Sequence, residues 1–143
     1  MEPLEWGQAV GGFRLSASLD KTTFSPCEPI RVSLVFRNVE KEPRPYTAQG
    51  ADFDYDIDCR TVSGEPVALT AFGTRMKENR GHGRRAEGQL PPNGQLVSEL
   101  LLGRHVDLSL GAKYTVTISR SVALGDGTSA MVVANSLAFE VRE

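Results

Sequence analysis

The chain is poor in the residues that build dedicated chemistry. Its 143 residues include two cysteines, two histidines and one tryptophan. Cys27 and Cys59 are too few for a disulfide scaffold. With His82 and His105 distant from each other in sequence, they also fall short of a zinc set. No nucleophile–base pair stands in a known motif: there is no G-x-S-x-G, and no glycine-rich phosphate loop joins a strand to a helix. The expectation is a protein that is not an enzyme and carries no cofactor or metal. No apolar run approaches the roughly 18 residues a spanning helix needs, so membrane insertion is not expected. An excess of one charge is lacking too. The formal net charge is -2, so nothing global draws the chain to nucleic acid or an anionic membrane. The N-terminus, MEPLEWGQAVGG, has neither the basic nor the apolar region of a signal peptide. That leaves a cytoplasmic location, or a secreted, periplasmic or envelope one if a leader has been removed.

What is present is period-2 alternation, the mark of half-buried strands. Phe13, Leu15, Ala17 and Leu19 alternate with polar residues, as do Ile30, Val32, Leu34 and Phe36. Phe53, Tyr55, Ile57 and Cys59 give a third strand, and Val67 to Phe72 a shorter one after the turn Ser63-Gly64-Glu65-Pro66. Leu96 to Leu102, Tyr114 to Val122 and Leu137 to Val141 complete the set. The 96–102 segment would also suit a short helix; its strand neighbours favour a strand. Short strands with polar turns imply an antiparallel β-sandwich of about 7–9 strands. One domain over 12–143 is expected, after an N-terminal extension over 1–11. Tyr114, three residues after Gly111, has the placing of a tyrosine corner, with its ring on the core and its hydroxyl on backbone just upstream.

Several turn and strand signatures run in one order along the chain. They are Trp6-Gly7, Gly12-Phe13-Arg14-Leu15, Phe24-Ser25-Pro26-Cys27-Glu28-Pro29-Ile30, Arg37-Asn38-Val39, Asp54-Tyr55-Asp56-Ile57, Ser63-Gly64-Glu65-Pro66-Val67, Pro92-Asn93-Gly94, Leu110-Gly111-Ala112-Lys113-Tyr114 and Ala134-Asn135-Ser136-Leu137-Ala138-Phe139. Together they resemble a bacterial immunoglobulin-like module of envelope and secreted proteins. The resemblance implies an all-β, immunoglobulin-like fold and no catalytic residue. The chain departs from that pattern at Cys27, where such modules usually place a glycine.

The stretch DFDYDID, 52–58, sets four carboxylates at alternate positions. An EF-hand loop needs a glycine at its sixth position and a glutamate at its twelfth; here these are Ile57 and Ser63. Curling around an ion would also push Phe53, Tyr55 and Ile57 into water. An extended segment is expected, with those three side chains inward and the aspartates in one solvated row about 7 Å apart. An acidic stripe for a partner, or a metal or catalytic role, are the lesser readings of the same row.

Strand direction places three connections on one rim: 39–50, 73–90 and 123–128. The placement holds only if no further strand lies within 73–90. That long connection carries five basic residues against two acidic ones, a formal +3. A solvated loop and a binder of anions or acidic proteins are both open readings. Nucleic acid is disfavoured, because the loop lacks stacking aromatics around its charges. Arg44-Pro45-Tyr46 in the first connection pairs an arginine with an aromatic, a combination common at interface hot spots, although the tyrosine could instead pack back on the sandwich. The candidate partner-binding residues are therefore Arg44, Tyr46, Arg80, His82, Arg84 and Arg85. The functional expectation is a non-catalytic binding or accessory module that presents this rim to a protein or anionic partner. A single-domain peptidase inhibitor using the same rim and a purely structural spacer are the alternatives. Cys27 and Cys59 fall at the opposite end of the sandwich, where a bridge between them is geometrically open.

Overall fold

The computed structural model describes residues 4–79, 85–108 and 111–142. The protein is mostly β. One sheet contains β1 (Phe13–Leu19), β3 (Arg31–Asn38) and β7 (Gln95–Leu101), in the order β1-β3-β7. A second contains β2 (Thr23–Phe24), β5 (Asp56–Thr61), β8 (Ala112–Ala123), β9 (Ser129–Val133) and β10 (Leu137–Val141). Its order is β2-β10-β8-β5, with β9 also on β8. β4 (Arg44–Ala48) and β6 (Ala86–Leu90) form a separate antiparallel pair. All pairings are antiparallel except β2 with β10. Among the described residues, three short helices, α1 (Ala51–Asp54), α2 (Ala71–Glu78) and α3 (Leu102–His105), lie between strands.

The alternating strands bury the side chains that the pattern predicts. Leu15, Val32, Leu34, Phe36 and Leu100 of the first sheet join Cys59, Val116, Ile118, Phe139 and Val141 of the second in one core cluster. Tyr114 is buried at the start of β8 and stacks on Phe139 at 5.4 Å between centroids. The upstream stretch that a tyrosine corner would engage includes Ser109 and Leu110, outside the described residues.

β9 and β10 act as one broken strand on β8. Ser119 faces Val133 and Val116 faces Leu137, so a step of three residues on β8 meets a step of four on its partner. The extra residue is a bulge. It turns Asn135 toward β1, where its amide bonds both the N–H and the C=O of Ala17, each at 2.9 Å. The Asn135 side chain thereby satisfies backbone groups on the open edge of β1.

Residues expected to be an N-terminal extension finish that edge. Gly7 N–H donates to the Leu15 carbonyl at 3.0 Å, and Trp6 lies beneath the guanidinium groups of Arg37 and Arg14. A β-carbon at Gly7 would stand 1.7 Å from the Val133 carbonyl oxygen. Gly7→Ala is therefore expected to cost about 1–3 kcal/mol through overpacking; urea unfolding would measure it.

Three expectations are corrected. Residues 52–58 are not extended throughout: 51–54 form a helical turn, and only 56–58 lie in β5. Val67–Phe72 is not a strand, because Thr70 caps α2 by accepting the Gly73 N–H at 3.0 Å. The 73–90 connection is not free of a strand, since it ends in β6.

Candidate functional site

Parts of the three segments expected on one rim do meet, although each of the three includes strand residues. Pro45, Tyr46 and Thr47 of β4, Glu87, Gly88 and Gln89 of β6, and Ser121, Val122, Ala123 and Gly125 line one groove of about 490 Å³. Phe13, at the start of β1, contributes to it as well. An adjoining cavity of about 350 Å³ shares Thr47, Ser121 and Ala123 with it and adds Phe53, Asp54 and Arg85.

β4 tolerates Pro45 because, among the described residues, it pairs with β6 alone, as an edge strand does. Tyr46 stands directly across from Gly88. A β-carbon there would lie 2.7 Å from the Tyr46 hydroxyl, so the ring covers the bare backbone of β6. Tyr46 thus both packs back on the core and lines the groove. Arg44 is drawn away from the groove. Its Nη2 donates to the Gly11 carbonyl at 2.8 Å, and its guanidinium sits 5.8 Å from the Phe13 ring. Arg85 lines the adjoining cavity. Arg80, His82 and Arg84 lie outside the described residues.

Beneath the groove is a group the sequence reading did not single out. Arg120 is 4% exposed, in the middle of β8. Its Nη1 donates to the Tyr55 hydroxyl at 3.2 Å and its Nη2 to the Thr47 carbonyl at 2.7 Å. Its guanidinium stands 4.5 Å from the centroid of the Phe36 ring, and Asp54 Oδ2 is 3.9 Å from Nη1. Arg120 thereby ties β8, β4 and α1 together and fixes one wall of the groove. Burial pushes the Tyr55 phenol above its ordinary pKa, partly offset by the charge of Arg120. The only sequence signal for this role was an arginine at an inward position of an alternating strand.

The four aspartates do not form one row. Asp54 turns back to accept the N–H groups of Gln49 at 2.9 Å and Gly50 at 3.2 Å. Asp52 bonds the buried His105 Nε2 at 2.8 Å, with Arg104 at 3.8 Å. Asp58 pairs with Arg60 at 3.0 Å. The Asp52–His105 pair is the arrangement a general base would use. Its surroundings are packing elements: Phe72 meets the His105 ring edge-on at 5.2 Å, and the Thr70 hydroxyl is held by the Arg104 carbonyl and the Gly73 N–H. The pair fastens α1 to α3. Among the described residues no group of three or more potential ligands could hold a metal ion.

At the opposite end, Cys27 is exposed and Cys59 is buried, and both are free thiols. The bridge left open by the sequence is not formed. Cys27 has φ +67°, the left-handed backbone that favours glycine. Burial, reinforced by Asp58, pushes the Cys59 thiol up to about 12. A thiol reagent at pH 8 should modify Cys27 rapidly and reach Cys59 only on unfolding; two equally fast thiols would contradict this placement. Because the folded value lies above the ordinary 9.0, the contribution of neutral Cys59 is complete below pH 9 and is lost as pH rises toward 12. The melting temperature of the wild type should therefore fall more steeply above pH 9 than that of Cys59→Ala.

Comparison with models of known protein families gives no match, and comparison with curated proteins gives none either.

Proposed function

We propose that this protein is a non-catalytic, immunoglobulin-like binding module whose affinity resides in the groove between the β4–β6 pair and the far end of β8. The immunoglobulin-like reading is supported by the sheet orders β1-β3-β7 and β2-β10-β8-β5, whose inward residues share one core. The functional reading rests on one observation: three segments distant in sequence line a single groove with an aromatic wall. Concave sites with aromatic walls carry recognition, and loops at the end of a rigid scaffold are where it is usually placed. A protein partner fits better than an anion, because the larger groove has more apolar lining than charge.

Panning a displayed library of random peptides and protein fragments on the intact chain tests this. Selected binders should compete with one another and lose at least tenfold in affinity on Tyr46→Ala. Binders indifferent to that change, with footprints elsewhere, would remove the groove from the account. Stoichiometric inhibition of a serine or cysteine peptidase in a parallel titration would identify the partner as an enzyme.

A further inference from the structure

Among the described residues, one wall of the groove is backbone without a strand partner, and that feature names its occupant. This inference rests on the binding reading above. β8 spans twelve residues, but β5 pairs with it only from Tyr114 to Ser119. Beyond Ser119, β9 continues on one edge alone. The direction of the backbone groups follows from two bonds: Ala134 N–H donates to the Ile118 carbonyl, and Leu124 N–H to the Thr128 carbonyl. Residues 118 and 124 thus bond toward β9, and the even-numbered residues between them share that direction. The N–H and C=O groups of Ser121 and Ala123 point the other way. Among the described residues no strand pairs with that edge, and both residues line the groove and its adjoining cavity.

An unpaired strand edge is a template for another extended chain. Here the template is short and sits in a recess, walled by Tyr46 and Thr47 on the facing β4. Charge adds the second constraint. Among the described residues Glu87 is the one charged side chain lining the larger groove; it is exposed and has no ion pair among them. The apolar surface comes from Phe13, Tyr46 and Val122.

We infer that the groove binds an extended peptide by strand addition to β8 at Ser121–Ala123. The peptide runs on from the point where β5 begins, with apolar side chains against Tyr46 and Val122 and a basic side chain toward Glu87. Alternation along the added strand presents every second side chain to the groove, so apolar and basic residues two apart share one face.

The test uses the intact chain and four capped synthetic peptides of the pattern Thr-Val-Thr-Lys-Thr-Val, in which valine and lysine share one face. One is unmodified, one has glutamate for lysine, and two are N-methylated at alternate amides, one in each register. The unmodified peptide should bind and slow amide hydrogen exchange at Ser121 and Ala123 at least tenfold. The glutamate peptide should bind at least tenfold more weakly, and Glu87→Gln should narrow that difference. One N-methylation register should abolish binding. No binding by the unmodified peptide, or binding without protection at Ser121 and Ala123, overturns strand addition. The broader binding reading would still stand in that case if library-selected binders remained sensitive to Tyr46→Ala. Loss of both would remove the groove altogether.

Discussion

Arg120→Ala is expected to lower stability by about 3–5 kcal/mol, the usual cost of removing one partner from a buried charged network. The substitution leaves the Tyr55 hydroxyl without its Arg120 donor, the Thr47 carbonyl without its 2.7 Å bond, and Asp54 without the cation beside it. It also opens a void beneath Phe36. Arg120→Met separates these effects: it restores volume but not the bonds, so it should recover part of the loss. Tyr55→Phe, which removes one neutral acceptor from a charged donor, should cost about 1.5–3 kcal/mol. Guanidinium unfolding of the four proteins provides the measurement. A loss below about 1 kcal/mol for Arg120→Ala would mean that the guanidinium is solvated rather than built into the core.

Phe36→Ala should cost a similar amount, about 3–5 kcal/mol, the range for a fully buried aromatic. Phe36 is completely buried and stacks on Phe13 at 4.6 Å between centroids and 16° between ring planes. Its face also receives the Arg120 guanidinium. The two substitutions act on one contact, so the Arg120→Ala, Phe36→Ala double variant should lose less than the sum of the singles. Strict additivity would show that the stack contributes nothing of its own. Phe13 both lines the groove and stacks on Phe36, so Phe36→Ala should also weaken any ligand that the groove holds.

The sequence was most legible where one face is wet and the other dry. β3, β8 and β10 alternate cleanly, and their inward residues join the core. Legibility failed where tertiary contacts decide local structure. The alternation of DFDYDID was real but ambiguous, because a four-residue helical turn has no period of its own. Two bonds to the Gly50 carbonyl and the Asp54 side chain fold that turn back. α2 carried a readable cap in Thr70, yet Gly73 argues against a helix by propensity. Gly73 is required by its neighbour, since a β-carbon there would stand 2.1 Å from the His105 carbonyl oxygen. β6, with the sequence AEGQL, has no β-branched residue and a central glycine. It is a strand because β4 pairs with it and Tyr46 covers Gly88.

The candidate site was legible as a location more than as a residue set. Strand direction brought 39–50, 73–90 and 123–128 to one end, and Pro45, Tyr46, Thr47, Glu87, Gly88, Gln89, Ala123 and Gly125 from them share a groove, whereas 73–78 lies in α2 against α3. The individual residues were chosen by charge and came out differently. Arg44 is spent on the Gly11 carbonyl, whereas Tyr46 lines the groove. Glu87 was counted as a loop charge alone, and Ser121 and Ala123 carry no signal until the edge of β8 on which they lie is known.

The most direct test of the whole account is a hydrogen-exchange footprint of the tightest binder selected against the intact chain. The account predicts slowed exchange in 44–48, 86–90 and 121–125, with the outer face of the β1-β3-β7 sheet unchanged. Protection confined to that outer face, around Val35 and Val97, would contradict it.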